Sequence, residues 1–141
     1  MLEIIFLILV SGYFIISVAL VIGAKKSFPK LSDDKLPNVS IVVAARNEEE
    51  NIISCLESLN NLIYPDGKLE IIIIDDASVD NTFSLASDFI QDKNRFNLKR
   101  LIDADDQKLK GKVRAMAEGI KFSSGEIILT TDADCVVNPH Q

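Results

Sequence analysis

The stretch LEIIIIDDASVD, residues 69–80, decides the fold class of this chain. Four consecutive isoleucines are typical of a strand that is buried on both faces, and such strands occur in parallel sheets covered by helices. A second run of this kind, VSIVVAA at residues 39–45, precedes it. We therefore predict two buried strands, at residues 39–45 and 69–74.

The segments around these strands alternate between helical and extended patterns. Early glutamates mark the start of the first helix, and Asp80 or Asn81 can cap the second. The resulting order, β-α-β-α-β-α-β, predicts an α/β domain with a parallel sheet and right-handed crossovers. Apolar spacing predicts helices at 49–60, 81–92 and 111–122, the third with Val113, Met116, Ala117 and Ile120 on one face, and weaker strands at 96–102 and 126–130.

The N-terminal segment has a different character, since 19 of the first 24 residues are apolar. As a helix, residues 2–23 would be about 33 Å long, which is enough to cross a bilayer core. A cleaved signal peptide is the alternative, but its apolar region would be shorter and its positive charges would come first. Here Lys25, Lys26 and Lys30 follow the apolar segment. We therefore predict one uncleaved membrane anchor at residues 1–24.

The flanking lysines also predict orientation, because positively charged flanks stay on the cytoplasmic side. The N-terminus then faces out and the rest of the chain is cytoplasmic. Residues 25–37, which are charged and carry two prolines, are predicted to form a linker. Its lysines either contact anionic lipid headgroups or serve only as a stop-transfer flank.

Composition excludes several classes of protein. The net charge of −6 argues against a nucleic-acid partner, which would favour a basic surface. With only two cysteines and one histidine, His140, there is no disulfide framework and no zinc site rich in histidine or cysteine. Cys55 and Cys135 are expected to be unpaired and inert, because the acidic residues nearby would raise a thiol pKa.

Polar segments follow three of the predicted strands. They read RNEE at residues 46–49, DDASVD at 75–80 and TDAD at 131–134. Ligands of parallel α/β sheets bind outside the carboxyl ends of the strands, so these segments are expected to meet at one edge. Carboxylates gathered there repel one another unless a cation neutralises them, and a divalent cation bound to a phosphate ligand would do so.

Particular residues then become candidates for a nucleotide and metal site. Asp132 and Asp134, alternate residues at a strand end, can bring two carboxylates to Mg²⁺ or Mn²⁺. Asp75 or Asp76 could accept hydrogen bonds from a base or ribose, although a turn or helix cap would also explain them. Lys112 lies at a predicted helix start, where phosphate is favoured. Its basic neighbours Lys108, Lys110 and Arg114 fit a solvated loop equally well.

The blocks VSIVVAARNEE (39–49), LEIIIIDDASVDNT (69–82), GK (111–112) and DAD (132–134), in this order and spacing, closely resemble family 2 glycosyltransferases. The resemblance implies the Rossmann-like A-type glycosyltransferase fold and a nucleotide-sugar donor. It implies that the aspartates after the second strand contact the base and that the D-x-D pair holds ribose and metal. The implied nucleotide contacts are Ala45, Glu48, Asp75, Asp76, Lys112 and Asp132, and the implied ligands of Mg²⁺ or Mn²⁺ are Asp134 and Asp132. Ala117 departs from the family pattern, which often has asparagine there.

The resemblance also predicts what the chain does and lacks. Residues 38–141 would form a nucleotide-sugar-binding half-domain, with the acceptor-side half and the general base expected downstream of Gln141. The predicted reaction is inverting, metal-dependent sugar transfer to an acceptor hydroxyl, with the fragment alone inactive. Predicted partners are membrane lipid and a lipid-linked or polysaccharide acceptor. The alternatives are an inactive membrane-anchored nucleotide-binding module and a phosphatase of the haloacid dehalogenase type, which also carries a D-x-D motif.

Overall fold

The computed structural model describes residues 2–24, 31–102 and 109–138. The chain divides into two units, one within residues 1–32 and one within 33–141, and each is described by itself. The linker lysines Lys25, Lys26 and Lys30, together with Lys108 and His140, lie outside the described residues.

The first unit contains helix α1, Leu2–Ala24, of 23 residues. From Glu3 to Ala24 its mean hydropathy is 2.8 and none of it is buried. By length and composition this helix could cross a membrane, in agreement with the helical segment predicted from the sequence.

The second unit is an α/β domain, as predicted. It begins with a short 3₁₀ turn at Asp33–Lys35. The elements are β1 (Val39–Ala45), α2 (Ile52–Asn60), β2 (Leu69–Asp76), α3 (Thr82–Ile90), β3 (Phe96–Leu101), α4 (Gly111–Phe122) and β4 (Ile127–Asp132).

The four described strands form one parallel sheet in the order β3-β2-β1-β4, which confirms the predicted parallel arrangement. In the register of this sheet Ala45 of β1 pairs with Asp75 of β2, and Ala44 pairs with Asp132 of β4. The acidic ends of β2 and β4 therefore lie at one edge of the sheet, on either side of the end of β1.

The isoleucine run of β2 is buried on both faces, as its sequence predicted. Ile71 and Ile73 belong to the larger core, which includes residues of α2 and α3. Ile72 and Ile74 pack on the other face with Ala115 of α4. The central strands are thus covered from both sides, and the adjacent aspartates of β2 lie at its carboxyl end.

The predicted start of the first helix was wrong, since α2 begins at Ile52 and not at residue 49. Residues 48–51 form a turn in which the carbonyl of Glu48 accepts the amides of Asn51 and Ile52 at 3.0 and 2.8 Å. The carboxylate of Glu49 accepts from the backbone and side chain of Asn81. Contacts with the next loop therefore hold these residues outside the helix.

The predicted apolar face of α4 was also wrong. Val113 and Ile120 are 61% and 47% exposed, whereas Arg114, Ala115 and Gly119 are the buried residues of the helix. The reason is close packing, because a Cβ at Gly119 would overlap Cγ1 of Val42. Small residues, rather than the large apolar ones, thus mark the face of α4 that contacts the sheet.

The other predicted boundaries differ from the observed ones by a few residues. β2 continues to Asp76 and β4 runs from Ile127 to Asp132, so these aspartates end strands rather than follow them. The second helix is shorter than predicted, Thr82–Ile90. Of its two candidate caps, Asp80 makes the capping bond, since the amide of Thr82 donates to its Oδ1 at 3.0 Å, whereas the side chain of Asn81 makes no capping bond.

Candidate functional site

The ends of β1, β2 and β4 and the start of α4 surround a cavity of about 200 Å³. Every site residue predicted from the sequence lines it except Asp75. The lining is Ala44, Ala45, Arg46, Glu48, Asp76, Lys112, Ala115, Asp132, Ala133 and Asp134. The structure therefore brings together residues from all four sequence blocks.

Asp76 is a buried carboxylate held by two arginines. Its Oδ1 accepts from Nε of Arg114 at 2.8 Å and also from Nη2 of that residue. Its Oδ2 lies 3.3 Å from Nη1 of Arg46. Arg114 is itself buried and donates from Nη1 to the carbonyl of Ile102 at 3.2 Å. Such multiple donors compensate the cost of burying a carboxylate and fix its orientation.

Asp75 lies on the other face of the sheet, because successive side chains of a strand alternate. It is fully buried, and its Oδ2 accepts the amide of Ser78 at 3.3 Å and lies 3.3 Å from Nε of Arg100. Its Oδ1 has no hydrogen-bond partner among the described residues. A buried acceptor without a partner is uncommon in folded proteins.

The loops that follow β1 and β2 are joined by hydrogen bonds. Both contain a non-glycine residue with positive φ, 55° at Asn47 and 56° at Ala77. This pairing fixes the backbone around Arg46 and Glu48 relative to the end of β2. The bonds run from the amide of Asn47 to Ser78 Oγ at 3.0 Å, from the amide of Glu48 to Thr82 Oγ1 at 2.7 Å, and from the amide of Val79 to Asn47 Oδ1 at 2.9 Å.

Lys112 and Asp132 form an ion pair at the mouth of the cavity. Nζ of Lys112 donates to Oδ2 of Asp132 at 2.6 Å, and the side chains are 58% and 43% exposed. The hydrogen bond that Lys112 donates to Asp132 raises the pKa of Lys112 above its usual value. Gly111, immediately before Lys112, has φ 59°, a conformation in which glycine is unstrained, so the helix can begin sharply here.

The donor set at the D-x-D motif fits a hard divalent cation. Asp132 and Asp134 offer carboxylate oxygens, and Asp134 is exposed. The described residues contain no group of three or more histidine, cysteine, aspartate and glutamate side chains arranged to hold a metal. Mg²⁺ and Mn²⁺ commonly take only one or two carboxylates from the protein and fill their other positions with water and substrate phosphate. The pair therefore suits a metal shared with a phosphate ligand.

Helix α2 holds the D-A-D turn in place. Sγ of Cys55 lies 3.6 Å from the carbonyl of Asp132, and the amide of Val137 donates to Ser58 Oγ at 3.1 Å. Ala133 is buried between the two aspartates. Burial, with Cys135 and Asp134 nearby, raises the pKa of Cys55 to about 11, so this thiol is inert as predicted.

Sequence reasoning missed the arginines around the two buried aspartates. It left Arg114 as an even choice between a solvated loop and a functional group, and it assigned no role to Arg46 or Arg100. A signal for Arg114 exists in the sequence, because it adjoins the small residues Ala115 and Gly119, which are spaced one helical turn apart on the sheet-facing side. Arg100 is directly opposite Asp75 in the register of β3, which the sequence alone does not give.

With this geometry established, comparison with known proteins decides the family. The sequence model described as Glycosyl transferase family 2 matches residues 40–141. The chain belongs to glycosyltransferase family 2. The resemblance predicted from the four motifs is thereby confirmed, and neither the phosphatase nor the inactive binding module is favoured.

Named relatives and a solved structure agree with this family. Glycosyltransferase AglE of Haloferax volcanii is 38% identical over 106 residues, covering 75% of this chain and 33% of the relative. The beta-monoglucosyldiacylglycerol synthase of Nostoc sp. is 34% identical over 121 residues, covering 86% of this chain and 25% of the relative. The chain thus spans between a quarter and a third of the length of these curated relatives.

The fold is similarly supported. A mannosyltransferase from Pyrobaculum calidifontis, solved in complex with GDP-Man and Mn²⁺, superposes with a TM-score of 0.65 at 28% identity, covering 80% of this chain and 32% of that one. The predicted A-type glycosyltransferase fold, with a four-stranded parallel sheet, is therefore confirmed for the described domain.

Proposed function

We propose that this chain is the donor-binding half of an inverting, metal-dependent glycosyltransferase that moves a sugar from a nucleoside diphosphate to an acceptor hydroxyl. The supporting observation is the cavity at the carboxyl edge of the sheet, where Asp76, Asp132, Asp134 and Lys112 converge in a member of family 2. This edge is where parallel α/β folds bind nucleotides.

In this proposal the nucleoside occupies the side of the cavity formed by β1 and β2. Asp76, fixed by Arg114 and Arg46, would supply acceptors for the N–H groups of a base, whereas Asp75, predicted for the same role, does not line the cavity. Ala45 and Glu48 line the same side, and Asp132 would contact the ribose.

The diphosphate would lie towards the start of α4. Lys112 provides a cation there, and amides at a helix N-terminus favour phosphate. Asp134 and Asp132 would hold Mg²⁺ or Mn²⁺, which as a Lewis acid stabilises the charge that develops on the leaving diphosphate.

Inverting transfer is a single displacement at the anomeric carbon. The acceptor oxygen forms its bond as the bond to the diphosphate breaks, and a general base takes the hydroxyl proton. We place that base outside this chain, in the part of the relatives' length that the chain does not span.

We further propose that α1 anchors the enzyme with its N-terminus outside and residues 25 onward in the cytoplasm. The length and apolarity of α1 support an anchor, and Lys25, Lys26 and Lys30 after it support this orientation. Membrane lipid is then a neighbour of the enzyme. The name of the Nostoc relative, a glucosyldiacylglycerol synthase, favours a lipid-linked acceptor, and a polysaccharide is the alternative.

Calorimetry on the detergent-solubilised chain tests donor binding. We expect UDP or GDP to bind weakly, and to bind more tightly with Mg²⁺ or Mn²⁺ than in a chelator, because the metal relieves repulsion between phosphates and carboxylates. Asp134→Asn should remove the metal dependence and leave binding of a bare nucleoside unchanged. Asp76→Asn should instead weaken nucleoside binding by about 1–3 kcal/mol, since it replaces a purely accepting group.

Two results would contradict these assignments. Equal affinity with metal and with chelator would remove Asp132 and Asp134 from the metal site. Unchanged nucleoside affinity in Asp76→Asn would show that the acidic end of β2 has a structural role only.

A further inference from the structure

The carboxylates of the cavity differ in how they are neutralised. Asp76 is paired with Arg114 and Arg46, and Asp132 is paired with Lys112. Asp134 has no ion-pair partner among the described residues, and its Oδ1 accepts only from Sγ of Cys135, at 3.5 Å. The D-x-D pair therefore already holds one cation, the ammonium of Lys112, on one of its two carboxylates.

We propose that the ammonium of Lys112 neutralises the D-x-D motif before ligands bind. The metal then displaces this ammonium from Asp132, and the diphosphate accepts it. Lys112 thereby makes the site select a metal together with a nucleotide over either one alone. The inference rests on the proposed function, because it assumes the metal at Asp132 and Asp134.

The geometry supports displacement. Mg²⁺ ligated by Asp132 would lie about 2.0–2.1 Å from a carboxylate oxygen. The ammonium of Lys112 is 2.6 Å from Oδ2 of the same group. A divalent cation and an ammonium so close together repel each other, so binding of the metal favours movement of the lysine.

Lys112 is able to make this movement. Its side chain is more than half exposed and has a flexible four-carbon stem. It lies in the first turn of α4, where a diphosphate would also be favoured, so the ammonium can exchange one anion for another without leaving the site.

The displacement of Lys112 couples the binding of the metal to the binding of the nucleotide. Without nucleotide, metal binding breaks the ion pair between Lys112 and Asp132 and leaves the ammonium beside the metal. With nucleotide, the phosphates take up the ammonium. Each ligand therefore raises the affinity for the other, by the same factor, as linkage requires.

Replacing Lys112 by methionine tests the inference through two separate binding measurements on the detergent-solubilised full chain. Mn²⁺ alone, followed by electron paramagnetic resonance, should bind roughly three- to tenfold more tightly to Lys112→Met, because a competing cation is gone. UDP in chelator, followed by calorimetry, should bind roughly tenfold more weakly, because Asp132 is then left without its counter-cation and repels the phosphates.

The proposal predicts that the affinity for Mn²⁺ rises while the affinity for UDP falls. Damage to the start of α4 would weaken both affinities. Lys121→Met is the matched control, since Lys121 lies on the same helix and pairs with Glu118; it should change neither affinity. Lys112→Gln should reproduce the methionine variant, and Lys112→Arg should stay close to the parent.

Unchanged or weaker Mn²⁺ binding in both Lys112→Met and Lys112→Gln would overturn the inference, even if UDP binding falls, because Lys112 would then be a phosphate contact only. Failure of the proposed function looks different. In that case the parent chain would bind neither Mn²⁺ nor UDP, alone or together, and both proposals would be wrong.

Discussion

Ala77 carries backbone strain at the edge of the site. Its φ of 56° is in the left-handed region, where a Cβ costs about 1–2 kcal/mol, and it lies between the buried aspartates and the loop that pairs with residues 47–49. Asn47, in the partner loop, has φ 55°, but asparagine tolerates this region better. The two residues share a conformation and differ in what their side chains contribute.

We expect Ala77→Gly to stabilise the domain by up to about 1 kcal/mol, since relief of strain exceeds the added freedom of the unfolded chain. Asn47→Gly is the matched control and should destabilise it, because Oδ1 of Asn47 accepts the amide of Val79 at 2.9 Å. Thermal unfolding followed by circular dichroism measures both. A loss of stability in Ala77→Gly would mean that the strain is not stored at this residue.

At this same scale the sequence predicted the acidic residues well and their partners poorly. Asp132, Asp134 and Lys112 could be placed at the cavity because strand ends and helix starts are local features. The pairing of Asp76 with Arg114 could not be predicted, because Arg114 reaches Asp76 only after α4 packs on the sheet. Separation of Asp75 from the cavity likewise required knowledge of where β2 ends.

At the scale of elements, strands were easier to predict than helix faces. A run such as IIII is apolar because both faces of β2 are covered, so the pattern reports burial directly. In α4 the apolar spacing predicted that large apolar residues face the core. The helix instead approaches the sheet through Ala115 and Gly119, and Val113 stays exposed. Close packing between backbones selects small residues, which apolar periodicity does not detect.

This packing predicts the outcome of Gly119→Ala. Alanine favours a helix by up to about 1 kcal/mol over glycine, but its Cβ would overlap Cγ1 of Val42 and lie 3.3 Å from Cγ1 of Ile74. Overpacking of this kind costs about 1–3 kcal/mol, so we expect a net loss of stability in thermal unfolding.

Val42→Ala removes the atom that Gly119→Ala would strike, and it supplies the control. In that background the alanine at position 119 should cost less than in the parent, a coupling that a double-mutant cycle measures. Equal cost in both backgrounds would show that the space between α4 and β1 does not set the identity of residue 119.

At the scale of the whole molecule, the sequence predicted a membrane anchor and a domain. The structure describes a helix that could cross a membrane by its length and composition and, separately, the α/β domain. The proposed arrangement across a membrane rests on Lys25, Lys26 and Lys30, which lie outside the described residues. The proposed use of cytosolic nucleotide sugars depends on that arrangement, because a domain outside the cell would not meet its donor.

The two cysteines of the chain make this arrangement testable without the introduction of further cysteines. Cys135 is exposed, whereas Cys55 is buried and its pKa is raised to about 11, so at neutral pH almost none of Cys55 is thiolate and only Cys135 should react. A membrane-impermeant maleimide should therefore leave the chain unlabelled in intact cells and label it after permeabilisation. Cys135→Ser should abolish that labelling.

Because the thiolate of Cys55 appears only as pH approaches its raised pKa, labelling should stay limited to Cys135 up to about pH 9. Labelling of Cys135 in intact cells would place the domain outside and contradict both the topology and the proposed donor.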